Sequence, residues 1–265
     1  MNRIEKRLNE LKKENKKAFI TYITAGLPNM KRTGEIIKIQ AEAGSDIVEI
    51  GIPFSDPIAD GTIIQEASFK SIQNGTNLKG VFELIKEVRK DCEVPIVFML
   101  YYNTILYYGV ENFINECIEC GVDGIIIPDL PHEETFEIKE VIDKKENSPY
   151  LIPLVSPVSK ERIPMLVSGA KGFVYCVSSM GVTGQDADFH KEIKNYLKTV
   201  KSTSKIPVMM GFGIRSAKDV HNYIDIIDGC IVGTHFMNIM EKSNYDTDTI
   251  KEYITTFKAE LNNEL

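Results

Sequence analysis

The sequence predicts an α/β fold and, within that class, a (β/α)8 barrel. Eight short apolar runs recur along the chain, and each is followed by a segment in which apolar residues have helical spacing. The runs are continuously apolar, which is typical of parallel strands that are buried on both faces. The chain has 265 residues without a linker, a length that suits one barrel of about 250 residues. We therefore expect a single barrel domain over residues 1–265.

Each predicted strand ends at glycine, proline or polar residues, where an extended chain turns. The predicted strands span residues 18–23, 47–50, 95–100, 124–127, 150–155, 172–177, 207–210 and 229–232. The predicted helices span residues 2–13, 30–43, 62–75, 78–91, 110–120, 133–145, 159–167, 189–202 and 216–224, with a further helical region at the C-terminus. The first helix is additional to the barrel repeat, and the tyrosine-rich residues 101–103 are predicted to form a loop. A doubly wound open sheet is the alternative, but no G-x-G-x-x-G motif follows the first strand.

Composition excludes several classes of function. The net charge of −7 argues against nucleic acid as a partner, because phosphate backbones require a basic surface. No apolar run approaches the roughly 20 residues of a membrane span. The charged N-terminal segment and the odd number of cysteines, five, lead us to expect a cytoplasmic protein. Cys117 and Cys120 form a lone C-x-x-C on a predicted helix without a second ligand pair, so no metal site is predicted.

The most informative stretch is residues 47–65, a strand followed by a loop that carries carboxylates. Glu49 lies within the apolar strand, and Asp60 lies on the loop. Burying a charge is costly unless it is paired, so Glu49 either pairs with a buried cation or serves a function. Asp60 could instead cap the next helix, because Gly61 follows it. Since barrel active sites lie at the carboxyl ends of the strands, we predict that both carboxylates belong to an active site.

Glycines follow the last two predicted strands. Gly213 comes after the seventh strand, and Gly233 with Thr234 comes after the eighth. In barrels these two loops often bind phosphate together with the N-terminus of a short extra helix, whose dipole and free N–H groups favour an anion. We predict this helix over residues 234–241 and a phosphorylated substrate. His235, in its first turn, either adds positive charge or only packs.

These stretches resemble the tryptophan synthase alpha subunit family, in the family's order and over nearly the whole chain. The matching stretches are FITYITAGLPN (19–29), VEIGIPFSDPIADGTIIQ (48–65), PIVFMLYYN (95–103), GIIIPDLPHEE (124–134), VYCVSSMGVTG (174–184) and GFGI (211–214). The second stretch is highly specific, whereas GFGI alone is not. The resemblance implies a (β/α)8 barrel that cleaves indole-3-glycerol phosphate into indole and glyceraldehyde 3-phosphate without metal or organic cofactor. It also implies a beta subunit that receives the indole, in an alpha2-beta2 heterotetramer.

The resemblance further implies roles for individual residues. Glu49 is similar to the family's general acid and base, and Asp60 to the carboxylate that hydrogen-bonds the indole N–H. One carboxyl group of raised pKa can protonate indole C3 and deprotonate the adjacent hydroxyl, and burial beside Val48 and Ile50 would raise the pKa of Glu49. The other implied positions are Tyr175 as a catalytic hydroxyl, Tyr22, Leu100, Ile127 and Phe212 around indole, Gly184, Gly213, Gly233 and Thr234 at the phosphate, and Phe54, Asp56 and Pro57 at the beta subunit.

Some positions depart from the family pattern. Residues 178–190 resemble a mobile lid, but Ser179 stands where the family usually has arginine. Thr234 stands where serine is common and keeps the hydroxyl, whereas His235 replaces a small residue. Thr62 replaces a common proline on the catalytic loop. These departures concern lid closure and phosphate affinity rather than the proton transfers.

Three other functions remain open. A stand-alone lyase would release free indole with the same site residues, so only the partner loop and the isolated activity distinguish it. A non-catalytic activator of a beta subunit is disfavoured by the intact Glu49, Asp60 and Tyr175. Another phosphate-binding barrel enzyme, such as an epimerase or aldolase, would require a set of metal-binding histidines or a lysine at a strand end.

Overall fold

The computed structural model describes residues 1–177, 187–211 and 213–263, and it confirms the parallel α/β barrel. Its strands are β1 (Ala18–Thr24), β2 (Ile47–Gly51), β3 (Ile96–Met99), β4 (Gly124–Ile126), β5 (Tyr150–Leu151), β6 (Leu154–Val155), β7 (Val174–Val177), β8 (Val208–Gly211) and β9 (Gly229–Val232). They form one sheet in the order β5-β4-β3-β2-β1-β9-β8-β7-β6, with parallel pairing throughout the described residues. Eight predicted strands have become nine because the fifth is divided.

The two halves of the fifth predicted strand, residues 150–155, pair with different neighbours. The first half pairs with β4, and the N–H of Ile152 donates to the carbonyl of Ile125 at 2.9 Å. The second half pairs with β7, and the N–H of Tyr175 donates to the carbonyl of Pro153 at 2.9 Å. Proline has no N–H to donate, so Pro153 cannot continue the ladder towards β4. One continuous stretch of chain therefore closes the sheet into a barrel.

Helices surround the barrel in the predicted order, with one additional helix, α5, at residues that were predicted to form a loop. The helices are α1 (Arg3–Lys13), α2 (Met30–Ala43), α3 (Thr62–Gln73), α4 (Leu78–Val88), α5 (Tyr102–Tyr108), α6 (Val110–Cys120), α7 (Phe136–Asp143), α8 (Ile163–Val167), α9 (Ala187–Thr203), α10 (Thr234–Lys242) and α11 (Thr247–Leu261). The loop prediction for residues 101–103 is wrong, because α5 begins at Tyr102. The N–H of Tyr102 donates to the Asp129 carboxylate at 2.9 Å, so this helix is capped by a different loop.

Short 3-10 helices replace parts of three predicted α-helices, and one of them, Pro157–Arg162, precedes α8. His132–Glu134 precedes α7, and Ala217–Tyr223 follows β8. The last of them begins with the predicted capping box, in which the Ser216 hydroxyl and the Asp219 carboxylate bind each other's backbone N–H groups. None of the helices in the part of the chain that the structure describes combines the length and apolar character that crossing a bilayer requires.

Side chains that alternate along the strands divide the core into two layers. Inside the barrel, Ile4, Leu8 and Leu11 of α1 pack with interior-facing residues such as Ile47, so α1 closes the amino end. Outside the barrel, the other face of each strand packs against the surrounding helices, as at Val48. With the amino end filled, the carboxyl end is left for a ligand.

Aspartates join neighbouring strands at the amino end of the barrel. Asp46, Asp123 and Asp228 directly precede β2, β4 and β9. Each side chain accepts the N–H of a residue near the start of an adjacent strand. The donors are Phe19 at 2.6 Å, Ile96 at 2.9 Å and Val208 at 2.7 Å. These carboxylates therefore fix how neighbouring strands align, which positions the residues that emerge at the opposite end.

Candidate active site

A cavity of about 260 Å³ opens at the carboxyl end of the barrel. Seven of the predicted site residues line it: Tyr22, Glu49, Asp60, Tyr175, Gly213, Gly233 and Thr234. Apolar walls come from Ile63, Ile64, Met99, Ile214 and Ile231. The fold thus brings the predicted carboxylates, tyrosines and glycines together around one space, with the carboxylates and the glycines contributed by different strands.

Glu49 lies in the middle of β2, and its side chain points into the barrel on the same face as Ile47. Its neighbours in register are Tyr22 on β1 and Val97 on β3. The residue is 1% exposed, and within the described chain neither carboxyl oxygen has a hydrogen-bond partner. Burial, with a smaller contribution from the charge of Asp60, raises the pKa of Glu49 to about 8. The carboxyl group is therefore mostly protonated at neutral pH.

Val48 and Ile50 are not the cause of this burial, contrary to the sequence prediction. Side chains alternate along a strand, so both residues face away from Glu49 and pack in the outer layer. The apolar surroundings of Glu49 come instead from the barrel interior. The expected rise in pKa is correct in direction, but residues distant in sequence produce it.

Asp60 is held by a tyrosine that the sequence reasoning missed. The Tyr101 hydroxyl donates to Oδ2 of Asp60 at 3.0 Å and accepts the N–H of Ala59 at 2.9 Å. The Tyr101 ring also stacks on Phe54, with 4.9 Å between ring centroids. Burial raises the pKa of Asp60, and the hydrogen bond from Tyr101 opposes this rise. The signal in the sequence was the position of Tyr101 directly after the third predicted strand.

Two tyrosine rings lie over glycines at the cavity. A Cβ atom at Gly51 would come within 2.0 Å of the Tyr22 hydroxyl, and one at Gly211 within 2.6 Å of the Tyr175 ring. Neither ring could keep its place beside a larger residue. The Tyr22 hydroxyl also lies 3.2 Å from Oγ1 of Thr24. Burial raises the pKa of both phenols well above its ordinary value, so both hydroxyls remain protonated.

The residues that follow β8 and β9 at this cavity carry the features expected of a phosphate site. Gly213 has a φ of 74°, a left-handed conformation that favours glycine, and Gly233 is the N-cap of α10. Arg215 and His235 line the cavity beside Thr234, and they add cationic or polar side chains there. Burial, and then the nearby charge of Arg215, lowers the pKa of His235, so this imidazole is neutral at pH 7. The sequence reasoning did not single out Arg215, although it directly follows the GFGI stretch.

The remaining predicted site residues lie elsewhere or outside the described chain. Leu100 is 1% exposed and Ile127 is 7% exposed, and the residues that line this cavity in the described chain do not include them. Contact of these two side chains with indole stays a prediction. Gly184 and Phe212 lie outside the described residues, as does Ser179 of the expected lid.

The loop expected to face a partner lies at the rim of the same cavity. Phe54 and Pro57 are half-buried, and Asp56 is exposed. The N–H of Asp60 donates to the carbonyl of Pro57 at 3.0 Å, so this turn ends at the carboxylate in the cavity. Ile58, at the tip, is 77% exposed. The loop therefore connects an outward-facing surface directly with the site.

Comparison with known proteins places the chain among tryptophan synthase alpha chains. The family model described as tryptophan synthase alpha chain matches residues 8–264. A curated relative of that description from Lachnospira eligens is 63% identical and aligned over 99% of this chain and 100% of the relative. One from Caldanaerobacter subterraneus is 43% identical over 95% of both chains. The crystal structure of tryptophan synthase subunit alpha from Legionella pneumophila superposes with a TM-score of 0.90 at 32% identity, covering 100% of both chains.

The barrel and its site define a class of enzyme. A buried carboxyl group of raised pKa, beside a glycine-lined pocket at the carboxyl ends of parallel strands, is typical of barrel enzymes that transfer protons on a small substrate. Within that class, the chain belongs to the tryptophan synthase alpha chain family. It is a lyase that cleaves indole-3-glycerol phosphate into indole and glyceraldehyde 3-phosphate.

Proposed function

We propose that Glu49 is both the general acid and the general base of this cleavage. The observation that supports this role is a carboxyl group that is 1% exposed, has no hydrogen-bond partner in the described chain and has a pKa of about 8. Efficient proton transfer requires a group whose pKa lies near the working pH. A protonated carboxyl at neutral pH is ready to donate, and its carboxylate form is basic enough to take a proton back.

The reaction proceeds in two balanced steps. Glu49 donates its proton to C3 of the indole ring, which leaves a carboxylate on Glu49 and a positive charge centred on the ring nitrogen. Glu49 then removes the proton of the glycerol hydroxyl next to C3. The C3–carbon bond breaks, its electron pair restores the aromatic indole, and the oxygen forms the aldehyde of glyceraldehyde 3-phosphate. Glu49 is protonated again and no water is consumed.

Asp60 stabilises the intermediate between these steps. A carboxylate at the indole N–H counteracts the positive charge that develops on the ring, and a partly buried site strengthens this interaction relative to water. The charge of Asp60 also contributes to the raised pKa of Glu49. Tyr175 keeps its proton and supplies a hydroxyl for the glycerol oxygen. Tyr22, Leu100, Ile127 and Phe212 form the slot for the indole ring.

The phosphate group binds at the opposite end of the cavity. Gly213, Gly184 and Gly233 allow backbone N–H groups to approach its oxygens, and Thr234 adds a hydroxyl at the start of α10. The positive end of the α10 dipole favours an anion at this position. Arg215 provides a full positive charge at the rim of the same space. The substrate is thereby oriented with its phosphate at α10 and its indole at the carboxylates.

A beta subunit binds at the carboxyl end of the barrel, through a surface that includes Phe54, Asp56 and Pro57. This interaction is supported by exposed apolar side chains that follow neighbouring barrel strands. They are Ile58 after β2, Tyr107 after β3, Phe136 after β4 and Val158 after β6, which are 77%, 95%, 71% and 72% exposed. Exposed apolar side chains grouped on one face are typical of protein interfaces. The arrangement fits an alpha2-beta2 complex in the cytoplasm, where indole passes to the beta subunit.

Indole release from indole-3-glycerol phosphate tests this mechanism. The purified chain is assayed with and without the beta subunit, beside Glu49→Gln and the control Glu66→Gln, which alters an exposed carboxylate on α3. We expect weak activity alone, strong activation by the beta subunit, and a loss of about 1,000-fold in Glu49→Gln only. High activity without any effect of the partner would indicate a stand-alone lyase. Full activity in Glu49→Gln would exclude the proposed role.

A further inference from the structure

Tyr101 connects the active-site carboxylate Asp60 with the loop that faces the beta subunit. We propose that Tyr101 is a positioning residue that holds Asp60 in place and transmits to it the effect of partner binding at Phe54. This inference rests on the proposed function, because it assigns to Tyr101 the regulation of the same site.

The hydroxyl of Tyr101 fixes the end of the catalytic loop. It donates to Oδ2 of Asp60 at 3.0 Å and accepts the N–H of Ala59 at 2.9 Å, so it binds two successive residues. Tyr101 itself belongs to the rigid part of the barrel. It is 4% exposed and follows Leu100, whose N–H donates to the carbonyl of Ile126 at 3.1 Å. A side chain anchored to the sheet therefore defines where the carboxylate lies.

The ring of Tyr101 fixes the beginning of the same loop. It stacks on Phe54 with a centroid distance of 4.9 Å and an angle of 17° between the planes. Phe54 is half-buried and lies two residues before the exposed Asp56. One aromatic side chain thus contacts the loop at Phe54 and again at Asp60. A partner that moves Phe54 must either move Tyr101 or break the stack, and both change the surroundings of Asp60.

The hydrogen bond also has an electrostatic consequence. It stabilises the ionised form of Asp60, and the stabilisation of the indole nitrogen requires that form. Burial disfavours the same form. Loss of the Tyr101 hydroxyl should therefore increase the fraction of protonated Asp60 at a given pH. Because the active enzyme needs an ionised Asp60, the acid limb of the activity profile should move to higher pH.

The neighbouring Tyr102 provides a matched control. Its hydroxyl also donates to a carboxylate, that of Glu137 at 3.2 Å, but this pair is exposed and does not line the described cavity. Tyr101→Phe and Tyr102→Phe therefore remove the same atom from adjacent positions. Each variant keeps its ring, so the stack between residues 54 and 101 is preserved in both.

The experiment measures kcat, KM and their pH dependence for the alpha–beta complex and for the isolated chain. The variants are Tyr101→Phe, Tyr102→Phe, Phe54→Leu and the double variant Phe54→Leu/Tyr101→Phe. We expect Tyr101→Phe to lower kcat about tenfold with a smaller change in KM, and to move the acid limb upward. Tyr102→Phe should match the unmodified protein. Phe54→Leu should reduce the activation by the beta subunit, and much less so once the Tyr101 hydroxyl has been removed.

Three results would overturn the proposal. Tyr101→Phe could behave like Tyr102→Phe, or it could lose activity without any shift of the acid limb, which would indicate only a structural role. The effects of Phe54→Leu and Tyr101→Phe on activation could also be independent, which would remove the coupling. Failure of the proposed function is separate, because it would appear as retained activity in Glu49→Gln whatever Tyr101 does.

Discussion

Two buried carboxyl groups three residues apart, Asp46 just before β2 and Glu49 in the middle of it, lie in different surroundings. At the amino end, the Asp46 carboxylate contacts Arg7 at 2.8 Å, Lys258, and the N–H of Phe19 at 2.6 Å. Three residues further along, at the start of the active site, Glu49 is equally buried. Within the described residues it has neither a cation nor an N–H group to bind.

The difference separates a carboxylate that stabilises the fold from a carboxyl group that suits the proton transfers proposed for Glu49. Asp46 is fixed by its partners, and its contacts join α1, β1 and α11. Glu49 avoids the cost of an unpaired buried charge by keeping its proton at neutral pH. A proton that is held only by desolvation can leave when a substrate arrives. In the part of the chain that the structure describes, ion pairs at the amino end and an unpaired carboxyl group at Glu49 therefore distinguish the two positions.

The largest effect on folding should come from breaking the paired carboxylate. Asp46→Asn leaves Arg7 and Lys258 without their common partner, and we expect the free energy of unfolding to fall by about 4 kcal/mol. Urea unfolding measures this change. The control Asp91→Asn removes an exposed carboxylate that pairs with Lys38, and it should leave the free energy of unfolding nearly unchanged. Equal costs for the two variants would contradict the contrast between buried and exposed pairs.

A smaller effect is expected at Glu49, where the pH dependence of the free energy of unfolding should change. The pKa of Glu49 is raised from 4.5 to about 8 on folding, so its protonation stabilises the folded state fully below pH 4.5. This stabilisation is lost as the pH rises through about 8. Between pH 5 and pH 8, the unmodified protein should therefore lose about 3 kcal/mol more than Glu49→Gln.

Urea unfolding of both proteins at several pH values isolates this contribution, because all other titrating groups are shared. Parallel curves of stability against pH would mean that Glu49 is ionised in the folded protein, and they would remove the distinction between the two ends.

The smallest effect concerns the charge at the phosphate end of the cavity. Arg215→Gln should raise KM about fivefold with kcat unchanged, because an exposed cation contributes at most about 1 kcal/mol to binding an anion. The dependence of KM on ionic strength should weaken in the same variant, since salt screens this interaction. Lys218→Gln is the control, because it removes an exposed cation that does not line the described cavity. Equal changes in both variants would mean that only overall charge matters.

Much of the fold could be predicted because local patterns determine it. Continuous apolar runs gave the strands, and Gly229–Val232 was predicted to the residue. The elements that were not predicted depend on contacts between residues that are far apart in the sequence. The N–H of Tyr102 donates to Asp129, which is distant in the sequence. No capping residue next to α5 therefore indicates where this helix begins. The division of residues 150–155 results from closure of the barrel, which no window of sequence contains.

The candidate site also contains some features that local sequence predicts and others that depend on distant contacts. The position of Glu49 and Asp60 at one cavity could be predicted, because a carboxylate within an apolar strand, or on the loop after it, stands out in the sequence. The cause of the raised pKa of Glu49 could not be predicted, since the side chains around Glu49 come from strands that are far apart in the sequence. Tyr101 could not be singled out either, because aromatic residues are common next to strands. Only the structure shows that its hydroxyl donates to Asp60.

The helix that closes the amino end of the barrel has a consequence for the order of folding. Ile4, Leu8 and Leu11 of α1 are synthesised well before some of their partners inside the barrel, which include Phe173 and Ile231. The surface that receives α1 is therefore not complete until the last strands have been synthesised. Until then part of the apolar face of α1 stays uncovered, and its docking should be among the final events of assembly.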